Sequence, residues 1–318
     1  MTKAPTLKLK WKSDLTDGDV FALQYSKDKS FIGCALSNGQ VGLYSPTTGR
    51  LSYALDQNSE HLPATSFRFH PSSKFFIAGS SNGNVNCWST RKPAIIWEEK
   101  EDNNEIFCID MNLDGSKFAT AGLDTKVRLY DFESHSIISI LEKSSDIDSD
   151  PVPGHTNRVF SVLFDPLNPF TLFSSGWDET IQIWDLRIGK SVRSLFGVHV
   201  CSDSMDLFLN QLAVGSWRTT DQLQIWDLRT FKVSKTFKWK EGKQCLVYAT
   251  KFSPDGEFLY AGGSGFDEIG IFSTQTGSQI GQTIALENPV FTIALTKDGK
   301  ELIAGETKGK INSYTINT

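Results

Sequence analysis

The 318-residue chain has few of the residues that usually carry chemistry: five cysteines, five histidines and three methionines. Cys34, Cys87, Cys108, Cys201 and Cys245 are scattered and form no Cys-x-x-Cys pair. That pattern reads as small buried hydrophobes in a reducing compartment rather than as disulfides or a zinc site. His61, His70, His135, His155 and His199 show no metal-binding spacing such as His-Glu-x-x-His. There is no phosphate-binding loop. No apolar run approaches the roughly 18 residues that a membrane-spanning helix needs, and Met1 to Lys12 is too polar for a secretory signal. The net charge is only -5, so nothing pulls the chain generally toward nucleic acid, whose affinity rests on basic surface. The expectation is a protein with no catalytic residues, no metal and no cofactor. It has no membrane partner, no evident small-molecule substrate and no direct nucleic-acid partner. Residence is expected in the cytoplasm, the nucleus or both.

What the chain does have is an internal repeat. Ile181-Gln182-Ile183-Trp184-Asp185-Leu186-Arg187 returns as Leu223-Gln224-Ile225-Trp226-Asp227-Leu228-Arg229. Self-similarity at such a period marks a repeat architecture. With the aromatic at Trp184 as a ruler, the matching residues are Tyr44, Trp88, Tyr130, Trp184, Trp226, Phe272 and Tyr314, in steps of 44, 42, 54, 42, 46 and 42 residues. Each closes a short alternating apolar and polar run, the signature of a half-buried strand.

Two further rulers agree. Small-residue pairs precede these strands: Ala78-Gly79, Ala121-Gly122, Ser175-Gly176, Val214-Gly215, Gly262-Gly263 and Ala304-Gly305. Such pairs let a strand approach a neighbouring sheet closely. Upstream lie the turns Asp114-Gly115, Asp255-Gly256 and Asp298-Gly299, in which glycine accepts a positive φ without steric cost. The reading is seven units of four short strands. All seven fall within one domain, residues 1–318, with no linker between separate cores.

From Gly154-His155 to Trp184-Asp185 the chain resembles the WD-repeat (WD40) family, with its Gly-His start and Trp-Asp end. Looser matches cover essentially the whole chain. The resemblance implies an all-β, seven-bladed β-propeller of four-stranded antiparallel blades, and radial closure is how such units avoid exposed sheet edges. The seventh unit stops after three strands, and Leu7-Lys8-Leu9-Lys10-Trp11 supplies a spare N-terminal strand to complete the last blade. The resemblance also implies a structural hydrogen-bond network in blade four, built from His155, Ser174 or Ser175, Asp178 and Trp184. The other blades lack the full set and are expected to rest on apolar packing; blade five offers His199 and Trp226 with Asp221 out of register.

Aligned first strands place Phe21, Phe107, Phe160, Tyr248 and Phe291 at one position, with Thr65 there in blade two and Asp203 in blade five. In a propeller the first strand is innermost, so these aromatics ring the central channel near one face. They either fill the channel or form a docking surface. The position is similar to the one that WD-repeat proteins recognising arginine-bearing peptides use to sandwich a guanidinium. A cation over an aromatic face gains ~0.5–2 kcal/mol, and Asp203 could supply a carboxylate partner. Trp177 and Trp217 belong to the same face, and the lengthened loop Gly215 to Asp221 adds Arg218.

Trp184-Asp185-Leu186-Arg187 and Trp226-Asp227-Leu228-Arg229 fit the Trp-Asp-x-Arg pattern. In WD-repeat substrate receptors of cullin-RING ubiquitin ligases, that arginine contacts the adaptor, which makes Arg187 and Arg229 candidate adaptor contacts. In many other WD repeats the arginine only pairs with a nearby acid. The expected function is non-catalytic protein–protein scaffolding. Its partners are proteins or peptides, including arginine- or lysine-bearing ones. A ubiquitin-ligase receptor and a propeller enzyme are the alternatives. The acidic stretch Ser144 to Pro153 reads as a surface insertion, and Lys235 to Lys243 as a solvated outer face.

Overall fold

The structure, a computed structural model, describes residues 4–14, 18–57, 60–144, 153–240, 244–265, 268–280 and 284–317. Most of the acidic stretch (145–152) and the end of the basic run (241–243) lie outside the described residues.

Seven four-stranded antiparallel sheets make up the described fold. Their innermost strands are Val20–Tyr25, Ala64–Phe69, Ile106–Met111, Val159–Phe164, Met205–Phe208, Leu246–Phe252 and Val290–Leu295. Each inner strand touches the next around the ring, and Val20–Tyr25 touches Val290–Leu295, so the ring is closed. The second strand of each blade, such as Phe75–Ser80 or Thr171–Gly176, is buried along nearly its whole length because neighbouring blades cover both of its faces.

The small-residue pairs set the spacing between blades. A Cβ on Gly305 would lie 2.6 Å from Val20 Cγ1, and one on Gly79 would lie 2.7 Å from Ile106 Cγ2. Gly215 faces Val247 and Gly262 faces Val290 in the same way, at 2.4 and 2.8 Å. In each case a residue at the start of one inner strand fills the notch that the preceding blade's glycine leaves. The Asp-Gly turns behave as the sequence predicts: Gly115, Gly256 and Gly299 have φ of 81°, 72° and 65°. The preceding aspartates accept backbone N–H bonds from Ser116, Glu257 and Lys300.

Closure uses the N-terminal strand. Thr6–Asp14 pairs antiparallel with Lys310–Asn317 and becomes the outer strand of blade seven. A bulge between Leu9 and Trp11 breaks the simple alternation expected there. Leu9 is exposed, while Trp11 turns inward, donates to the Pro46 carbonyl at 2.8 Å and packs over Gly49 of blade one.

Blade four carries its hydrogen-bond network, and the hydroxyl is that of Ser174. His155 Nε2 lies 2.7 Å from Ser174 Oγ, which also accepts from Trp184 Nε1 at 2.7 Å, and His155 Nδ1 lies 2.8 Å from Asp178 Oδ2. Ser175 instead donates to the Thr180 carbonyl.

The expectation that the other blades rest on apolar packing needs correction. In blade three the carboxylate of Glu101 accepts from Thr120, from Tyr130 at 3.0 Å and from Asn104 at 2.7 Å, and it pairs with Arg128 at 3.0 Å. An acid thus does there what the imidazole does in blade four. In blade two the Gln57 side chain donates to the Ala78 carbonyl, and the main-chain carbonyl of Gln57 accepts from Asn86. Near blade seven Glu306 accepts from Asn288 and Asn312. In each case a different polar side chain satisfies groups that burial would otherwise strand.

Candidate protein-binding face and central channel

Six of the seven inner strands carry a β-bulge at the same place, and the extra residue is Phe21, Thr65, Phe107, Phe160, Tyr248 or Phe291. A bulge sets two residues of one strand against one of its partner and so re-aims a side chain. Val20, Ile106, Val159, Val247 and Val290 therefore stay in the interblade packing, while the next residue in the chain turns to the channel mouth. Blade five has no such bulge. Its inner strand, Met205–Phe208, is only four residues long and starts after Asp203.

The rings do not stand apart around an open pore. They pack in two arcs. In one, Phe107 stacks on Phe160 at 4.6 Å between centroids, Phe160 on Trp177 at 5.2 Å, and Trp177 on His199 at 5.9 Å. In the other, Trp217, Tyr248, Phe291 and Phe21 follow one another at 6.2, 4.8 and 5.9 Å. His199 thus joins the aromatic face instead of bonding Trp226. Between the arcs, a cavity of about 20 Å³ touches Phe21, Thr65, Phe107 and Asp203. That is space for about one water, not for a guanidinium. The Trp177 face is already taken by the protein's own Arg158, 5.2 Å from the ring centroid. Trp177 Nε1 donates to Cys201 Sγ. Trp217 is the open ring, 40% exposed.

Asp203 is not free to receive an incoming cation. Its Oδ2 accepts from Arg68 Nη2 at 2.8 Å and lies 3.9 Å from Lys251 Nζ. Arg68 Nε also reaches Asp110 Oδ1 at 3.0 Å, and Lys251 lies 3.7 Å from Asp206 Oδ1. Beneath the aromatic mouth the channel is therefore crossed by an ionic layer of two bases and three acids. Burial pushes all three carboxyls up. At Asp203 the charges of Arg68 and Lys251 outweigh burial and hold it below the ordinary carboxylate range. Asp110 and Asp206 stay above theirs, each also repelled by Asp203.

All of these residues but Asp203 share one structural position. Gln24, Arg68, Asp110, Leu163, Asp206, Lys251 and Ala294 each stand three residues after the channel-mouth position of their blade. Three of them also tie blades together: Gln24, Asp110 and Asp206 accept the backbone N–H of Phe69, Phe164 and Phe252 on the next blade, at 2.6, 2.8 and 2.7 Å. Sequence reasoning missed this layer, although the three-residue offset from the aromatics was available as a signal.

The remaining candidates lie on the perimeter or in loops. Arg187 and Arg229 are exposed, and each grips the aspartate of its own Trp-Asp pair through Nε at 3.0 Å and Nη2 at 2.6 and 2.7 Å. Arg187 also lies over Phe170. Seven residues separate Gln211–Gly215 from Leu223–Asp227 in blade five, so the loop is lengthened as expected. Within that loop Arg218 is spent internally, donating to the Gly197 carbonyl of blade four's outer edge. Among the described residues no group of three or more His, Cys, Asp or Glu is placed to hold a metal ion. Four of the five thiols are buried; burial lifts Cys34 and Cys87 to about 12.

The WD domain, G-beta repeat family matches the chain at residues 54–89, 95–131 and 149–185. The chain thus carries WD40 repeats on a fold of seven four-stranded blades, a seven-bladed β-propeller. Curated relatives share the repeat at low identity. Periodic tryptophan protein 2 of Arabidopsis thaliana is 21% identical over 311 residues, covering 93% of this chain and 31% of the relative. WD repeat-containing protein 82 of Drosophila melanogaster is 26% identical over 177 residues, 52% of this chain and 53% of the relative. Guanine nucleotide-binding protein subunit beta of Oryza sativa subsp. indica is 24% identical over 257 residues, 75% of this chain and 64% of the relative. The chain spans about a third of the length of the periodic tryptophan protein 2 relatives.

Proposed function

We propose that residues 1–318 form one interaction domain, a non-catalytic scaffold that holds partner proteins or peptides across its aromatic face. The observation that carries this reading is the pair of half-exposed aromatic arcs that five bulges and two loops bring to one channel mouth. Aromatic rings clustered near the centre of a surface are the usual anchors of binding energy. Here they sit on strands of a closed ring, so little reorganisation is spent on docking. With about 20 Å³ between the arcs, a partner lies across the rings rather than inserting into the channel. An arginine- or lysine-bearing partner would meet Trp217 first.

The relatives support a scaffold in a general way: one is by name a subunit of a guanine nucleotide-binding protein. The scaffold is proposed to work in the cytoplasm, the nucleus or both; no described helix is long and apolar enough to cross a membrane. Arg187 and Arg229 already hold their own aspartates, the simpler of their two expected roles, so we do not extend the proposal to a ligase adaptor.

The test is affinity purification with mass spectrometry, wild type beside a Phe107→Ala/Phe160→Ala/Phe291→Ala variant whose melting curve shows that it folds. Partners lost from the variant establish the aromatic face. Identical partner lists make the rings channel filling and move the search elsewhere on the propeller.

A further inference from the structure

On the opposite face, between blades two and three, lies a groove of about 450 Å³ that no part of the proposed scaffold role uses. The turns that follow the inner strands and those that precede the outer strands build it. Its walls are aromatic. His70 packs on Phe132 at 4.7 Å, Phe75 lies 6.2 Å from Phe132, and His135 stacks on Trp97 at 4.6 Å. Three carboxylates stand among these rings: Asp114, Asp131 and Glu133. Among the described residues no lysine or arginine lines the groove. Lys117, which pairs with Asp131 across the strands, is the nearby base.

His70 does not offset this charge. His70 Nδ1 accepts the Ser72 N–H at 3.1 Å, and burial lowers its affinity for a proton. Asp114 and Asp131 stay ionised to low pH because Ser116 and Ser134 donate to their carboxylates. Each uses mainly Oδ1 for these local bonds, which leaves an oxygen for a ligand.

An aromatic-walled groove with a surplus of negative charge suits a side chain with an apolar stem and a cationic head. We propose that this groove binds an arginine side chain of an extended peptide from a partner protein. The stem packs against Phe75 and Phe132, and the guanidinium is shared by Asp114 and Glu133. A guanidinium fits both demands, since its planar fork pairs with carboxylates and its faces stack on rings. The site is separate from the aromatic mouth and does not depend on it.

The experiment is fluorescence anisotropy on the full chain with a fluorescein-labelled (Arg-Ala-Leu)₃ peptide, beside matched peptides in which lysine or glutamine replaces each arginine. The expected order is arginine above lysine above glutamine. Asp114→Asn/Glu133→Gln should weaken the arginine peptide at least about tenfold, the loss expected when a charge-assisted pair is removed. Both substitutions are isosteric, lie at exposed positions and keep the local acceptors, and a thermal melt verifies the fold. Phe132→Ala should weaken binding as well, whereas the Phe107→Ala/Phe160→Ala/Phe291→Ala variant should bind as the wild type does. Equal binding of the arginine and glutamine peptides would overturn the proposal, as would an unchanged affinity in Asp114→Asn/Glu133→Gln. Loss of binding only in the triple phenylalanine variant would also overturn it, by placing the peptide on the other face.

Discussion

Arg68 of blade two and Asp203 of blade five meet across the channel at 2.8 Å, although 135 residues separate them in the chain. The same guanidinium reaches Asp110 of blade three at 3.0 Å, so one side chain bonds to two other blades. Their side chains are only 12–23% exposed, and water screens such charges little. The structural value of the pair lies less in attraction than in what its loss would leave behind. Arg68→Met would take the guanidinium from two carboxylates in the channel, leaving Asp203 only Lys251 at 3.9 Å, and removing one partner of a buried pair typically costs about 3–5 kcal/mol. Adding Asp203→Asn should recover a large part of that loss. Urea unfolding of the three proteins checks this; a single mutant with a wild-type midpoint would show the layer to be effectively solvated.

A second prediction concerns the notches between blades. Gly79→Ala places a methyl 2.7 Å from Ile106 Cγ2, and Gly305→Ala places one 2.6 Å from Val20 Cγ1. Both neighbours are fully buried, so neither can swing aside. Overpacking of this kind costs about 1–3 kcal/mol. Combining Gly305→Ala with Val20→Ala should relieve part of the strain, because the offending methyls go with the valine. Thermal melts of the single and double variants decide; a silent Gly305→Ala would mean that the blades can spread.

These two cases differ in how visible they were. The glycines recur 8–11 residues before six of the seven strand-end aromatics, and the blade count follows from the same repeat, because one packing problem is solved again in each blade. The spare strand at Thr6–Asp14 was legible for the same reason: the last unit lacked one. What the aromatics do was only half legible. Their common position was plain, but register is a property of pairing, and the bulges that aim Phe107 or Phe291 leave no mark in composition. The ionic layer was hidden further, since Arg68, Asp110 and Asp203 come from three blades and pair only once the ring closes. Glu101 escaped notice because it stands five residues before Ile106, whereas His155 stands four before Val159, and because it replaces a base with an acid.

Acid sensitivity should come in part from blade four. Burial would raise the Asp178 carboxyl, but the His155 hydrogen bond and charge, together with the Thr156 N–H, outweigh it and hold it below its usual 3.8. A folded-state value below the unfolded one means that the folded protein binds fewer protons. The stabilisation is therefore complete above about pH 3.8 and is lost as pH falls through the lower folded value. Asp178→Asn should cost about 1–3 kcal/mol at neutral pH, the usual range for a buried hydrogen bond left unmade, and should flatten the acid limb of the stability curve. Denaturant titrations from pH 2 to 7 test this, and a variant whose acid limb still parallels the wild type would assign the sensitivity to other carboxylates.

Glu306 carries the opposite sign. It is fully buried, and burial raises its carboxyl above the usual 4.5; the donors Asn288 and Asn312 and the charge of Lys12 offset this only in part. The folded state thus holds its proton more tightly than the unfolded chain does. Stability is greatest below about pH 4.5 and declines as pH rises to the folded value, beyond which the lower level persists. Glu306→Gln removes that decline. The new amide brings two N–H donors and keeps one carbonyl; a flip of the Asn312 amide turns Asn312 Oδ1, which is buried without a hydrogen-bond partner among the described residues, to accept from one of them while Asn288 continues to donate to the carbonyl. The variant should therefore melt at or above the wild-type temperature at pH 7, and the gap should close below pH 4.5. A clear drop in melting temperature at pH 7 would mean that the ionised carboxylate is what the surrounding amides require.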